Sequence, residues 1–531
     1  MRLSREGIRQ GEFAQKGYIL PQFDIEKMRR VTAAAPVWAH LGAGNILRAF
    51  PAVLCQRLLE SGAMDTGMCV VECYDEQIIE KAFAPYDNLA VAVSLRRDGR
   101  MDKRVVASVA QALGYSAGPE RVRQIFTAPS LQMVSMTITE KGYAVADASG
   151  QPLPFCRGDF TSMDAPASII GKLVKLLYAR YQAGALPIAL VSLDNCSHNG
   201  SILRESVERI ARAWLANGLV KPGFMDYLFD PARVSFPWSM IDKITPRPAP
   251  EIIGALERDG LEDIGLSITE KNSYVSAMVN AEECEYLAIE DHFPNGRPPL
   301  EKVGVIFGDR QTIDKIEKMK VCTCLNPLHT CLAIFGCLLG YGRICEEMDD
   351  AALLALVKRV GYDEGLRVAV DPGVMSARKF IDEVVNLRLP NPFVPDTPQR
   401  IACDTSKKLP VRFGETLKAY LSRGQRDLSF LTGMALVFAG YARYLTGTGD
   451  DFKPFERSSD PNLEALSACV AGFEPGRPFD AGKLRGLFSN ADLFGVDLYS
   501  VNLGEKAESL FTEMNEGPGA IHATIARHVN P

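Results

Sequence analysis

Val37-Trp38-Ala39-His40-Leu41-Gly42-Ala43-Gly44-Asn45-Ile46-Leu47-Arg48-Ala49 is the stretch that decides the fold. Five residues suited to a buried strand run straight into Gly42-x-Gly44, and helix-forming residues continue through Leu59. A strand, a glycine turn and a helix in that order open a dinucleotide-binding sheet, because the turn's amides and the helix N-terminus can hold a pyrophosphate. Leu47 stands where the third glycine of the usual pattern would be, so the motif by itself also fits an ordinary glycine turn. Its place between a strand and a helix near the N-terminus favours the cofactor reading, with Gly42, Ala43, Gly44 and Asn45 as the candidate turn.

Three further runs read as buried strands: Met68–Cys73, Leu131–Ile138 and Pro187–Leu193. Each passes directly into polar residues, namely Tyr74-Asp75, Thr139-Glu140-Lys141 and Asp194-Asn195. Ligands of open α/β sheets bind at the carboxyl ends of the strands, so these ends collect the candidate chemistry. An acid at the end of the second strand binds the ribose hydroxyls in such folds. Asp75 and Glu72 both qualify, and either would favour NAD over NADP by repelling a 2′-phosphate. Glu140, at the end of the third run, is a further candidate cofactor contact. The turn-rich segment Asp291–Pro299 precedes a change to helical periodicity, seen in Ala351–Val360, Phe380–Leu387, Gly414–Leu421 and Leu463–Ala471. The expected architecture is α/β: a Rossmann-type domain over 1–308, followed by a mostly α-helical domain over 309–531.

Composition narrows the function. The 531 residues carry 59 Lys plus Arg against 65 Asp plus Glu, a net charge of −6, which argues against nucleic acid or an anionic membrane as partner. Hydrophobic residues at 47% and charged residues at 23% are globular values and exclude disorder as the main architecture. Thirteen scattered cysteines fit free thiols in a reducing compartment. Met1–Gly7 lacks a signal-peptide pattern, and the most apolar run, Cys331–Gly342, is shorter than the roughly 20 residues a membrane helix needs. A cytoplasmic protein acting on a small molecule is the expectation.

The segment Lys320-Val-Cys-Thr-Cys-Leu-Asn326-Pro-Leu-His329 has two readings. In the first, Asn326 is an N-cap and Pro327 a first-turn proline opening an apolar helix. In the second, Lys320 is a general base, since a lysine neutral near working pH can take a hydroxyl proton. The Asn326 amide would then donate to an oxygen that gains negative charge. Cys322, Cys324 and His329 match no standard zinc spacing, so no metal is expected. No Tyr-x-x-x-Lys pair occurs in the chain, which removes the short-chain dehydrogenase solution and moves weight onto Lys320.

Taken together, these segments resemble the polyol-specific long-chain dehydrogenase family, the mannitol dehydrogenase group. The resemblance rests on Gly42–Ala49, Thr137–Tyr143, Asp194-Asn195 with Asn199-Gly200, Phe236–Pro246, Asp291–Pro299, Lys320–His329 and Arg400–Lys408. It implies a metal-independent, NAD(H)-dependent oxidoreductase with Lys320 as base and Asn195 and Asn326 as amides on the reacting oxygen. It implies that His329 positions substrate hydroxyls and that Asp242, Arg400 and Lys408 line the sugar pocket. Substrates would be a keto sugar acid and its polyol acid, D-fructuronate and D-mannonate being the first choice. Mannitol with fructose, or altronate with tagaturonate, is the alternative within the family, and a lysine-dependent lyase the alternative outside it. One departure stands out: five residues separate Lys320 from Asn326 where mannitol-type members carry four. On a helix that rotates later side chains by about 100°, which a bulge or a break at Pro327 has to absorb.

Overall fold

The structure, a computed structural model, describes residues 1–529. By contact density the chain divides into two units, residues 1–314 and 315–531.

The N-terminal unit is built on six strands: β1 (Trp38–Leu41), β2 (Met68–Glu72), β3 (Val109–Gly114), β4 (Met133–Met136), β5 (Ile188–Ser192) and β6 (Val234–Ser235). Their spatial order is β3-β2-β1-β4-β5-β6 and every pairing is parallel. That is the order of dinucleotide-binding sheets, in which β1 and β4 flank the point where the winding reverses. Parallel strands are covered by helices on both faces and so read as continuous apolar runs. β1, β2, β4 and β5 are buried at every residue, which is why the sequence announced these four. Ala39, Leu41, Val71, Val134 and Leu190 pack with Ile170, Leu173, Ile210 and Trp214 of the covering helices into one core.

Two elements depart from expectation. The helix predicted to run unbroken from Ile46 to Leu59 is two helices, α1 (Asn45–Ala49) and α2 (Pro51–Glu60). The proline at 51 has no N–H to donate and disfavours helical backbone at the preceding residue, and Phe50 accordingly sits at φ −135°. The second is β3, an outer strand whose middle three residues are only half-buried, so it does not read as an apolar run. Outside the main sheet lie a four-stranded sheet (Tyr18–Ile19, Ala90–Leu95, Met101–Val106, Met278–Glu282) and a three-stranded one (Ser239–Asp242, Tyr286–Glu290, Ile306–Gly308).

After Gly308 no further strand is assigned among the described residues, and the C-terminal unit is helical. Its centre is α6 (Thr432–Leu445), buried at every position. The Glu364 carboxylate closes the N-terminus of α6 by accepting from the Gly433 and Met434 amides at 2.6 and 2.8 Å. Burial pushes this carboxyl up to about 7 against the pull of those hydrogen bonds and of Arg359. Four segments of this unit are π-helical: Lys320–Cys324, Arg359–Gly365, Val384–Arg388 and Pro410–Gly414.

The division between the units falls within α4 (Arg310–Met319), and a π turn joins α4 to α5 (Asn326–Leu339). The resulting 30-residue helical stretch is long and apolar enough to cross a membrane, beyond what Cys331–Gly342 alone suggested. Its apolar window is 78% buried within the fold, as in a core helix. No cysteine forms a disulfide among the described residues.

Candidate active site

In the N-terminal unit the glycine turn lies at the carboxyl end of β1, between β2 and β4. Gly42 holds φ +101° and donates to Val71 O at 2.9 Å; a Cβ there would meet Thr137 O at 2.5 Å. Only glycine fits that position. Gly44 has ordinary φ −69°, and a Cβ there would meet nothing within 4 Å. Its neighbourhood is therefore open for a ligand to approach the backbone. Asn45 opens α1, with its Oδ1 accepting from Arg48 at 3.0 Å.

The two acids of the second strand differ sharply. Glu72 is buried and its Oε2 accepts from the Ala43 amide at 2.7 Å, while Oε1 takes the Tyr74 and Asp75 amides. Asp75 is buried too, but its Oδ2 accepts from the Thr269 and Ser273 hydroxyls, both at 2.6 Å, which anchors the loop to a neighbouring segment. Glu72, rather than Asp75, reaches the glycine turn. Glu140 is exposed in the first turn of the short helix α3 (Thr139–Tyr143).

Asp194 ties the ends of β4 and β5 together. Its carboxylate accepts from the Ile138 and Thr139 amides at 2.8 and 3.0 Å and from Tyr143 Oη at 2.6 Å. Burial raises the Asp194 carboxyl above its ordinary value, opposed by these three donors. The following loop carries Asn195 and is pinned from its far side by Asn199, fully buried, whose Nδ2 donates to Asp194 O at 3.1 Å and to Ser239 Oγ at 2.9 Å. Asp242 is the buried last residue of the strand Ser239–Asp242, which Asn199 also fixes through the Ser239 amide. Asn195 and Asp242 thus stand on supports joined through one asparagine.

In the C-terminal unit, Lys320 is buried, at 3% exposure, and begins the π turn. Its carbonyl accepts from Leu325 N, five residues on, at 3.1 Å. This wider turn takes up one more residue than an α-turn, and the backbone breaks at Leu325 (φ −127°) before α5 begins. The extra residue between Lys320 and Asn326 is accommodated there. Asn326 is the first helical residue and not the N-cap, and no side-chain cap bond forms, so the capping reading of this asparagine fails.

His329 lies one turn further, with Nε2 3.4 Å from Asp396 Oδ2. Asp396 is buried and its other oxygen receives Arg400, whose side chain is 62% exposed. Lys408 donates to the carbonyls of Ile401 and Cys403. Arg412, in the π segment Pro410–Gly414 that packs on the Lys320 turn, donates through Nη1 to Thr330 Oγ1 at 2.6 Å and Asn326 O at 3.4 Å. Burial lowers its guanidinium to about 10. Within this unit the structure therefore carries Lys320, Asn326 and His329 on one continuous helical segment, links His329 to Arg400 through Asp396, and places Arg412 against the first turn of α5. Cys324 is buried with its thiol pushed up to about 12, and no cluster of three metal-binding side chains occurs among the described residues.

The sequence matches a family model described as the mannitol dehydrogenase Rossmann domain over residues 38–302, and one described as the mannitol dehydrogenase C-terminal domain over 312–498. The chain belongs to the mannitol dehydrogenase family. Its members are dehydrogenases and oxidoreductases, and this chain is an oxidoreductase. A D-mannonate oxidoreductase of Thermotoga maritima is 48% identical over 99% of this chain and 98% of that protein. A mannitol 2-dehydrogenase of Cereibacter sphaeroides is 31% identical over 82% and 86%. Among solved structures, a D-sorbitol dehydrogenase in substrate-free form superposes with a TM-score of 0.79 at 26% identity, covering 96% of this chain and 97% of that one.

Sequence reasoning named Glu72 but not its closure on the glycine turn, and it did not reach Asp396 or Arg412, which stand beside the candidate residues. Asp396 sits in the proline-rich Pro390–Pro398 stretch, and its position four residues before Arg400 was the one signal that could have pointed to it. Arg412 gave none, because its approach to Thr330 depends on long-range packing.

Proposed function

We propose that this family member interconverts D-fructuronate and D-mannonate with NAD(H), residues 1–308 binding the dinucleotide and 309–531 carrying the base. The observation that carries the reading is the 48% identity to a D-mannonate oxidoreductase along almost the full length of both chains. The open backbone at Gly44 and the acid at the end of β2 fit a dinucleotide, and a carboxylate at that place favours NAD over its 2′-phosphorylated form. Gly42, Ala43, Gly44 and Asn45 form the pyrophosphate turn, Glu72 or Asp75 takes the ribose, and Glu140 lies at the rim.

The bound dinucleotide supplies the hydride acceptor for oxidation and the hydride donor for reduction. In oxidation, Lys320 Nζ takes the proton of the substrate's secondary hydroxyl; in reduction it returns that proton to the same oxygen. The side-chain amides of Asn195 and Asn326 donate to that oxygen as negative charge builds on it. His329, oriented by Asp396, hydrogen-bonds a neighbouring substrate hydroxyl. Asp242, Arg400 and Lys408 line the rest of the sugar chain.

The test is NADH oxidation with D-fructuronate, D-tagaturonate and D-fructose offered in parallel and NADPH as the cofactor control. D-Fructuronate with NADH should give the highest kcat/KM. Preference for D-fructose makes the enzyme a mannitol dehydrogenase, and preference for D-tagaturonate makes it an altronate-forming one.

A further inference from the structure

Arg400, Lys408 and Arg412 lie close enough to act on one another electrostatically, and they are not equivalent. Arg400 is largely exposed and its guanidinium already faces Asp396. Lys408 and Arg412, one helical turn apart, are both half-buried and form no ion pair among the described residues, although the Asp404 carboxylate near Lys408 partly offsets its positive surroundings. Lys408 is held by two backbone carbonyls, and burial followed by the charge of Arg412 pushes its ammonium below the usual lysine range. Arg412 uses one nitrogen, Nη1, on Thr330 and Asn326. Its Nε and Nη2 form no hydrogen bond among the described residues and are not sealed from solvent.

Two like charges held together in a partly desolvated place cost free energy unless an anion completes them. A guanidinium edge of Nε and Nη2 matches a carboxylate with two parallel hydrogen bonds. Thr330 and Asn326 are i and i+4 on α5, so their shared partner lies along the face that carries Asn326, with His329 one residue away. We infer that Arg412, with Lys408 beside it, is the residue that receives the substrate carboxylate and sets preference for a sugar acid over a neutral polyol, whereas Arg400 serves Asp396. This rests on the hexuronate reading above and adds a residue that reading does not contain.

D-Mannonate and D-mannitol differ at one end only, carboxylate against hydroxymethyl, and their inhibition constants against D-fructuronate reduction isolate that end. In Arg412→Met the constant for D-mannonate should rise about 100-fold, the loss of a bidentate charge-assisted contact. The constant for D-mannitol should change less than about threefold. The KM for D-fructuronate should rise in step with the first value. Arg412→Lys, which keeps the charge, should fall between wild type and Arg412→Met, and it carries the test alone if the methionine variant does not fold. Thermal unfolding checks both variants. Equal weakening of D-mannonate and D-mannitol in a folded variant overturns the inference and leaves the hexuronate reading in place, since it assigns Arg412 a structural part. Wild-type enzyme that prefers D-fructose to D-fructuronate overturns both.

Discussion

Alanine at Gly42 and alanine at Gly44 should fail in different ways, although the two glycines are neighbours in one turn. At Gly42 a methyl group would sit 2.5 Å from the Thr137 carbonyl oxygen on backbone at φ +101°. The unfavourable dihedral costs about 1–2 kcal/mol, and pushing a backbone carbonyl out of the way adds about 1–3 kcal/mol, so a loss near 2–5 kcal/mol is expected. At Gly44 the backbone is ordinary and the methyl meets nothing, so stability should be unchanged or rise by about 0.4–1 kcal/mol through the unfolded chain. The same methyl stands where the pyrophosphate would approach, and NADH affinity should fall about 10- to 100-fold. All three tryptophans, at 38, 214 and 238, lie in the N-terminal unit, so their fluorescence in a urea titration reports that unit alone. NADH titration supplies the affinities. Gly44→Ala protein that is stable and binds NADH as wild type does would refute the assignment of this turn to the pyrophosphate.

Other expectations concern the C-terminal unit and the sheet. Lys320→Ala should lose several orders of magnitude in turnover while keeping NADH affinity; a near-normal rate across pH rules out the base assignment. Asn326→Ala should lower kcat by roughly 10²–10³, the cost of one donor to a developing oxyanion, with the unfolding midpoint little changed because this side chain caps nothing. Glu364→Ala removes the acceptor of two buried amides at the start of α6 and should lower stability by about 2–4 kcal/mol in a chemical melt. His40 is fully buried between Ser135 and Thr137, and burial drops its imidazole to about 3. Only the unfolded chain then takes a proton below about 6.5, so the contribution is complete above that pH and declines as pH falls toward 3. Between pH 6.5 and 5 the loss is about 2 kcal/mol, and a His40→Asn variant followed by tryptophan fluorescence should lack that slope.

What the sequence disclosed follows the physics of each element. Parallel strands sealed on both faces advertise themselves as apolar runs, so β1, β2, β4 and β5 were legible within a residue or two of their ends. The outer strand β3 and the charged hairpin strand Met101–Val106 carry mixed patterns that do not read as apolar runs, and β3 pairs with a strand about 40 residues earlier. Local chemistry also misled in one place: an Asn-Pro pair looks like a cap, yet the π turn ahead of it makes Leu325 the residue that turns the chain. Lys320, Asn326 and His329 were recognisable because they share one continuous segment. Asp396 and Arg412 reach that segment from 67 and 83 residues beyond His329, a proximity only the tertiary fold creates.

The π turn at Lys320 has an evolutionary meaning. A helix that widens locally can gain or lose a residue without moving the packed cylinders on either side of it. The wider turn takes up the added residue, so the helices before and after it both keep their packing. Single-codon insertions at this joint therefore change the length between Lys320 and Asn326 while leaving both flanking helices in place. A length change at this joint spares the hydrophobic interior the compensating substitutions that a change within the packed helix would demand.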